Sequence, residues 1–155
     1  MTSELDNDLI SLCDRLTVAR KRVSTALEGL TDAQLAWGRR GGWSIGRVLD
    51  HLVQSEWHYV RLLHRLRNQP QEASAPGVGQ ISSVAGARLE LQRAREALLA
   101  ALDGVDDEVF YRIGQLGREE YSVVSLLENV AQHDQEHAAQ IEQIREANAT
   151  QSSSA

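Results

Sequence analysis

Hydrophobic residues recur at helical spacing in four long stretches of the chain. Gly29 ends the first stretch, and Ser44 and Ser122 stand where the second and fourth helices need an N-cap. No stretch has the alternating pattern of a β-strand. We therefore expect an all-α protein whose long helices cover residues 4–28, 45–67, 83–102 and 122–148.

Two shorter patterns lie between these helices. Thr31-Asp-Ala-Gln34 has the form of a capping box and predicts a helical turn through Trp37. Asp106 to Tyr111 predicts a second short turn. The pattern therefore predicts a four-helix bundle with extra helical turns before the second and fourth long helices. Residues 1–149 would form a single domain, and residues 150–155 a disordered tail.

The segment from Gln69 to Gly79 contains both prolines of the chain, Pro70 and Pro76. It is longer than a tight turn between two helices needs. Two interpretations stay open: the segment borders a functional cleft, or it is a plain surface crossover.

Composition narrows the class of partner. The net charge of -6 argues against nucleic acid as the main partner. No apolar run approaches the 18 or so residues of a membrane span, and the acidic N-terminal sequence lacks the pattern of a signal peptide. A single cysteine, Cys13, excludes an internal disulfide framework. We expect a cytoplasmic protein with no nucleic-acid or membrane partner.

Two histidines stand one helical turn apart in the last long helix. His133 and His137 fall in the same arc as its apolar residues, so both imidazoles point toward the core. Buried imidazoles need partners, and a divalent metal ion is one such partner. A metal site needs a third ligand. His51, at the edge of the apolar stripe of the second helix, is the best candidate, and His58 is the spatial alternative.

Three charged positions are unusual for their surroundings. Glu56 falls inside the apolar arc of the second helix, where it would either orient a ligand histidine or pair with a buried arginine. Arg95 lies beside the narrow apolar stripe of the third helix, as a snorkelling side chain or as an anion-binding one. The cluster Arg20-Lys21-Arg22 is expected to face solvent.

Two segments of the sequence, read together, resemble the DinB-like (YfiT-like) superfamily. The first is Trp43-Ser-Ile-Gly-Arg-Val-Leu-Asp-His51-Leu, and the second is Val130-Ala-Gln-His133-Asp-Gln-Glu-His137-Ala-Ala-Gln-Ile. Members of this family are four-helix bundles of this length. The resemblance implies that His51, His133 and His137 carry a divalent metal ion. It covers nearly the whole chain.

The resemblance also implies a range of functions. Characterised relatives include thiol transferases that use bacillithiol or mycothiol, a mycothiol-dependent maleylpyruvate isomerase, and proteins labelled as metal-dependent hydrolases. Homodimers are common, and the metal can be zinc, nickel, iron or manganese. We therefore expect either a metal-dependent transferase of a low-molecular-weight thiol or a hydrolase acting on a small molecule.

Several side chains are candidates for the chemistry of such an enzyme. Asp134, Glu136 and Glu56 could transfer protons or orient ligands, and Arg95 could bind the carboxylate of a substrate or cofactor. Aromatic residues could line the pocket, although such residues are more often part of a core. They are Trp43, Trp57 and Tyr121.

Two alternatives to an enzyme remain. The chain could be a non-catalytic bundle, associated with stress, whose metal is structural or whose histidines are relics. It could also have a histidine-lined site that binds no metal, which would require hydrogen-bond partners for all three imidazoles.

Overall fold

The computed structural model describes residues 3–69 and 81–153. In chain order the elements are α1 (Glu4–Ala26), a 3-10 turn (Ala33–Ala36), α2 (Ile45–Leu66), α3 (Val84–Leu102), the short α4 (Asp107–Phe110), β1 (Gly114–Leu116), β2 (Glu119–Tyr121) and α5 (Val123–Ser153). Four long helices are therefore confirmed, and so are the two short helical turns before the second and fourth of them.

Serine residues define where the long helices begin. The side-chain oxygens of Ser3, Ser44 and Ser83 each accept a hydrogen bond from a backbone N–H in the first turn of the following helix. Ser122 does the same for α5, accepting from the N–H of Ser125 at 3.2 Å. Each such cap satisfies one of the backbone donors that a helix start leaves free.

The helices form two parallel pairs. In the first pair α1 packs on α5, with Arg15 beside Glu128 near their starts and Arg145 donating to the carbonyl of Ala26 further along. The second pair is α2 and α3. The two pairs pack antiparallel, since Arg95 of α3 donates to the carbonyl of Leu16 in α1, whereas Arg20 later in α1 donates to a carbonyl earlier in α3.

The parallel packing of α2 and α3 explains why their connection is long. Glu56 meets Arg95, and further along both helices Arg67 donates to the carbonyl of Ala101. The end of α2 and the start of α3 therefore lie at opposite ends of the bundle, and the chain must travel back between them. Most of the Gln69–Gly79 segment lies outside the described residues, so its relation to a cleft stays a prediction.

Apolar side chains from all four long helices form one core. Its fully buried members include Leu16, Leu49, Leu98, Leu126 and Ile141. These are positions that the helical periodicity of the sequence assigns to the inner face. No helix within residues 3–69 and 81–153 is long and apolar enough to cross a membrane.

Four charged side chains lie in the middle of this core, one from each long helix. Arg20 and Arg95 each bind both Glu56 and Asp134, at distances of 2.9–3.1 Å. The two carboxylates are only 3% and 2% exposed. Burial alone would lower the pKa of Arg20, but the two carboxylates outweigh it, and the pKa is raised. We call these four residues the charge quartet.

The charge quartet corrects one expectation and decides another. Arg20 was expected to face solvent, but its guanidinium is mostly buried, because two carboxylates inside the bundle compensate its charge. Of the two interpretations of Glu56, pairing with a buried arginine is confirmed, and two arginines are involved rather than one.

A β-hairpin corrects the expectation that the chain has no strands. β1 and β2 are antiparallel, with Gly114 opposite Tyr121, and Gly117 adopts a φ of +63° in the turn. A Cβ atom on Gly114 would lie 2.5 Å from the ring of Tyr121, so a larger residue there would displace that ring. Strands of three residues are too short to produce a recognisable alternating pattern.

The end of the last helix corrects the expected tail. Residues 150–155 were expected to be disordered, but α5 continues to Ser153. The side chains of Asn148 and Thr150 bond the carbonyls of Ile144 and Glu146 one turn earlier. No glycine or proline interrupts this stretch, so the helix can continue. Residues 154–155 lie outside the described part.

Removing one charge from the quartet should destabilise the protein. We expect Arg20→Met to lower the free energy of unfolding by about 3–5 kcal/mol, because it leaves buried carboxylates with one guanidinium between them. Urea unfolding followed by circular dichroism measures this. The control is Arg22→Met, which removes an exposed pair with Glu142 and should cost no more than about 1 kcal/mol. Equal losses in the two variants would contradict a special role for the quartet.

Candidate metal centre

Three histidines from two antiparallel helices meet on one side of the bundle. His51 projects from α2, and His133 and His137 project from adjacent turns of α5. One nitrogen from each ring can be chosen so that all three lie within 4.8 Å of one another. The ring centroids are 5.0–5.6 Å apart. The structure therefore brings together the three histidines that the sequence analysis selected.

His58, the alternative third ligand, is not part of this cluster. Its ring packs against Tyr59 at a centroid distance of 5.9 Å. Within the described residues, the one group of histidine, cysteine or acidic side chains with metal-ligand spacing contains His51 and not His58. The two residues are seven positions apart, close to two helical turns, so both lie on the same face of α2. The periodicity of the sequence therefore could not show which of them is the ligand.

Two aromatic rings border the cluster. Trp43 contacts His51 edge-on at a centroid distance of 5.1 Å, and Tyr59 contacts His133 at 6.0 Å. The guanidinium of Arg47 lies 4.9 Å above the ring of Trp43. Of the three aromatic residues predicted to line a pocket, Trp43 lies at the histidines. The others, Trp57 and Tyr121, are buried in the hydrophobic core.

The three imidazoles differ in their hydrogen bonds. Nδ1 of His137 is 2.8 Å from the side-chain oxygen of Gln140. Nε2 of His51 is 3.5 Å from the hydroxyl of Ser55, at the outer limit for a hydrogen bond. Nδ1 of His133 is buried, and no group in the described part of the chain bonds to it. A buried polar atom of this kind favours an added partner.

Burial also changes the protonation of the cluster. The pKa of His51 is lowered by burial, then by the neighbouring charges of His137 and His133. The pKa of His133 is lowered by burial and by His137. Both rings are therefore neutral at pH 7, and a neutral ring has the lone pair that a metal needs. Burial raises the pKa of Tyr59, so its phenol keeps its proton.

The three acidic residues proposed as catalytic candidates have hydrogen-bond or ion-pair partners other than the histidines. Asp134 and Glu56 both belong to the charge quartet, as does Arg95, the candidate for binding a substrate or cofactor carboxylate. Glu136 is exposed and accepts a hydrogen bond from Gln132 at 2.8 Å. The roles proposed for these side chains from the sequence stay predictions.

A very small cavity separates the histidines from the charge quartet. Its volume is about 10 Å³, enough for no more than one water molecule. Its lining includes His133 and Tyr59 together with both quartet carboxylates. The space between His133 and the quartet carboxylates is therefore too small for a substrate.

The donor set fits a divalent transition metal. Nitrogen ligands of tetrahedral zinc lie about 2.0–2.1 Å from the ion and so roughly 3.3 Å from one another. Side-chain adjustments of about 1 Å would bring the three nitrogens to that spacing. Imidazole suits zinc, nickel, iron and copper alike, so the ligands do not select the element. The histidines are partly exposed, which leaves a solvent-facing side where further ligands could bind.

Sequence reasoning missed three residues at this centre. They are Ser55, Tyr59 and Gln140. Each follows one of the histidines at a helical interval: Ser55 is four residues after His51, Tyr59 eight, and Gln140 is three residues after His137. This spacing places the three residues on the same helix faces as the histidines. It is the feature of the sequence that could have identified them.

The architecture defines a class: an antiparallel four-helix bundle with a histidine cluster between two of its helices. Within that class the chain belongs to the DinB superfamily, whose model matches residues 15–141. Among solved structures, the chain is similar to TT2238, described as a four-helix bundle protein, with 22% identity and a TM-score of 0.65. The match covers 85% of this chain and 95% of TT2238. No curated protein matches the chain.

The lowered pKa values predict how pH affects the metal-free protein. Unfolded histidines bind protons near pH 6.5, whereas His51 and His133 in the folded state resist protonation until a lower pH. The unfolded state then binds more protons, so the free energy of unfolding should fall as pH drops below about 6.5. Urea unfolding between pH 7.5 and 5.5, after treatment with a chelator, measures it. His133→Gln should flatten the dependence, and an unchanged slope would contradict the assignment.

Proposed function

We propose that this protein binds one divalent metal ion through His51, His133 and His137. The observation that carries the proposal is the convergence of three partly buried imidazole groups from two helices on one point. The unpaired, buried Nδ1 of His133 supports it, because a histidine cluster without a metal would need other partners.

We further propose that the metal supports catalysis on a small molecule. Three protein ligands leave at least one coordination position open, as in catalytic rather than structural zinc sites. A divalent ion in such a site lowers the pKa of a bound water or thiol and supplies a nucleophile near neutral pH. The reaction would be transfer of a low-molecular-weight thiol onto an electrophilic substrate, or hydrolysis.

Access to the histidines supports a substrate that enters from solvent. The cavity between His133 and the charge quartet has room for at most one water molecule, whereas the histidine side chains are partly exposed. Trp43 and the exposed Arg47 flank the side on which His51 lies. An aromatic face and a guanidinium suit a substrate with an apolar body and an anionic group.

A non-catalytic metal-binding bundle is the second candidate, and one observation favours it. Asp134 and Glu56, two of the three acidic candidates for proton transfer, are held by two arginines in the charge quartet. A carboxylate in that position is poorly available as a general base. An enzyme would then activate its nucleophile through the metal rather than through these two carboxylates.

Metal content tests the centre directly. We expect protein purified without a His-tag or chelator to hold about one divalent ion per chain. His51→Ala should lose most of it while keeping its helical circular dichroism, because the variant removes a ligand and little core volume. Elemental analysis by mass spectrometry gives the content and the identity of the ion.

His58→Ala is the matched control for this experiment. It removes an imidazole from the same helix, two turns further along, and should keep its metal. Loss of metal in His58→Ala but not in His51→Ala would transfer the third-ligand role to His58. If the wild-type protein takes up no zinc, nickel, iron or manganese, the metal centre is wrong.

Activity separates the two candidate functions. The metal-loaded protein should accelerate the reaction of a low-molecular-weight thiol with an electrophile, or the hydrolysis of an activated ester. The rate should return to background on chelation and in His133→Ala, since both remove the ion. A spectrophotometric assay with thiol, electrophile and ester panels measures it.

A stoichiometric metal centre without activity across these panels would favour the non-catalytic bundle. Activity that survives chelation would contradict a role for the metal. The homodimer and the cytoplasmic location implied by the resemblance and the composition stay predictions.

A further inference from the structure

Gln140 makes the shortest hydrogen bond to the histidine cluster among the described residues. Its side-chain oxygen lies 2.8 Å from Nδ1 of His137. By comparison, the hydroxyl of Ser55 is 3.5 Å from His51. Gln140 follows His137 by three residues, so both side chains lie on one face of α5, and both are partly buried.

This hydrogen bond determines where His137 carries its proton. With the side-chain oxygen of Gln140 facing the ring, the hydrogen of this bond is on Nδ1, because an amide oxygen accepts hydrogen bonds and cannot donate them. In a neutral ring the lone pair is then on Nε2. Free histidine in water favours the opposite tautomer, in which Nε2 carries the proton. Gln140 therefore opposes the intrinsic preference of the ring and leaves Nε2 free to bind a cation.

We propose that Gln140 is a positioning residue for the metal centre: it holds His137 in the Nδ1–H tautomer and fixes the ring so that Nε2 is the ligand atom. The inference rests on the proposed three-histidine metal site. Partners that fix the tautomer of a ligand histidine also raise its basicity, and removing them commonly weakens metal binding 10–100-fold.

A comparison within α5 argues that the contact is not an automatic result of helical spacing. Glu136 stands three residues after His133, as Gln140 does after His137. The carboxylate of Glu136 nevertheless accepts a hydrogen bond from Gln132 and is exposed. Residues at the same offset thus differ, and the bond to Gln140 depends on how its side chain packs.

The experiment measures tautomer and affinity separately. Two-dimensional 15N–1H NMR of the metal-free protein at pH 8 reports the tautomer of His137, and competition with a chromogenic chelator reports zinc affinity. In the wild-type protein we expect the Nδ1–H form. Gln140→Leu should shift His137 toward the Nε2–H form and weaken zinc binding at least about tenfold. Gln140→Glu should restore both, because a carboxylate also accepts from Nδ1.

Gln132→Leu is the control, since it changes the same residue type on the same helix without touching a histidine. It should leave both readouts unchanged. If Gln140→Leu changes neither the tautomer nor the affinity, the positioning role is overturned while the metal centre stands. If the wild-type protein binds no zinc, nickel, iron or manganese, the proposed function fails and the role of Gln140 toward a metal fails with it, whatever the tautomer.

Discussion

The charge quartet is the constraint on which the rest of the structure depends. Two guanidiniums and two carboxylates are removed from water in the middle of the bundle, and each is costly there without its partners. Since each long helix contributes one member, all four helices must be present and in register before the charges compensate one another. Packing between apolar helix faces tolerates a shift of one helix along another. Ion pairs at 2.9–3.1 Å, in which each arginine contacts two carboxylates, do not. The quartet therefore selects one packing among the several that the apolar faces allow.

The same constraint positions the histidines. Asp134 is the residue next to His133, and Glu56 lies five residues after His51. By fixing α2 and α5 to common arginines, the quartet sets the register in which His51 faces the pair on α5. The small cavity lined by His133 and both carboxylates shows how close the two groups are. Glu56 and Asp134 are thus paired with arginines and hold the site together. The direct partners of the rings are a glutamine, a serine and two aromatic residues.

Much of the fold and part of the site could be predicted from the sequence. Apolar periodicity and serine caps located the four long helices, because both are local properties of the chain. His133 and His137 could be paired for the same reason, since one helical turn separates them. The sequence favoured His51 over His58 by its place at the edge of the apolar stripe and by the family resemblance, whereas the structure shows which of the two meets the histidines of α5. The hairpin was missed because three-residue strands form through pairing with each other, not through a pattern that each one has.

The sequence by itself determined which residues lie on which helix face, where each helix begins, and the family to which the chain belongs. Only the tertiary structure decided what those faces meet. It placed Arg20 inside the bundle and assigned Glu56 to two arginines. It also brought Tyr59 of α2 to the imidazole of His133 on α5. The physical reason is that helix formation depends on residues within a few positions of one another. Compensation of a buried charge and completion of a ligand set, by contrast, depend on side chains up to 114 positions apart in the chain.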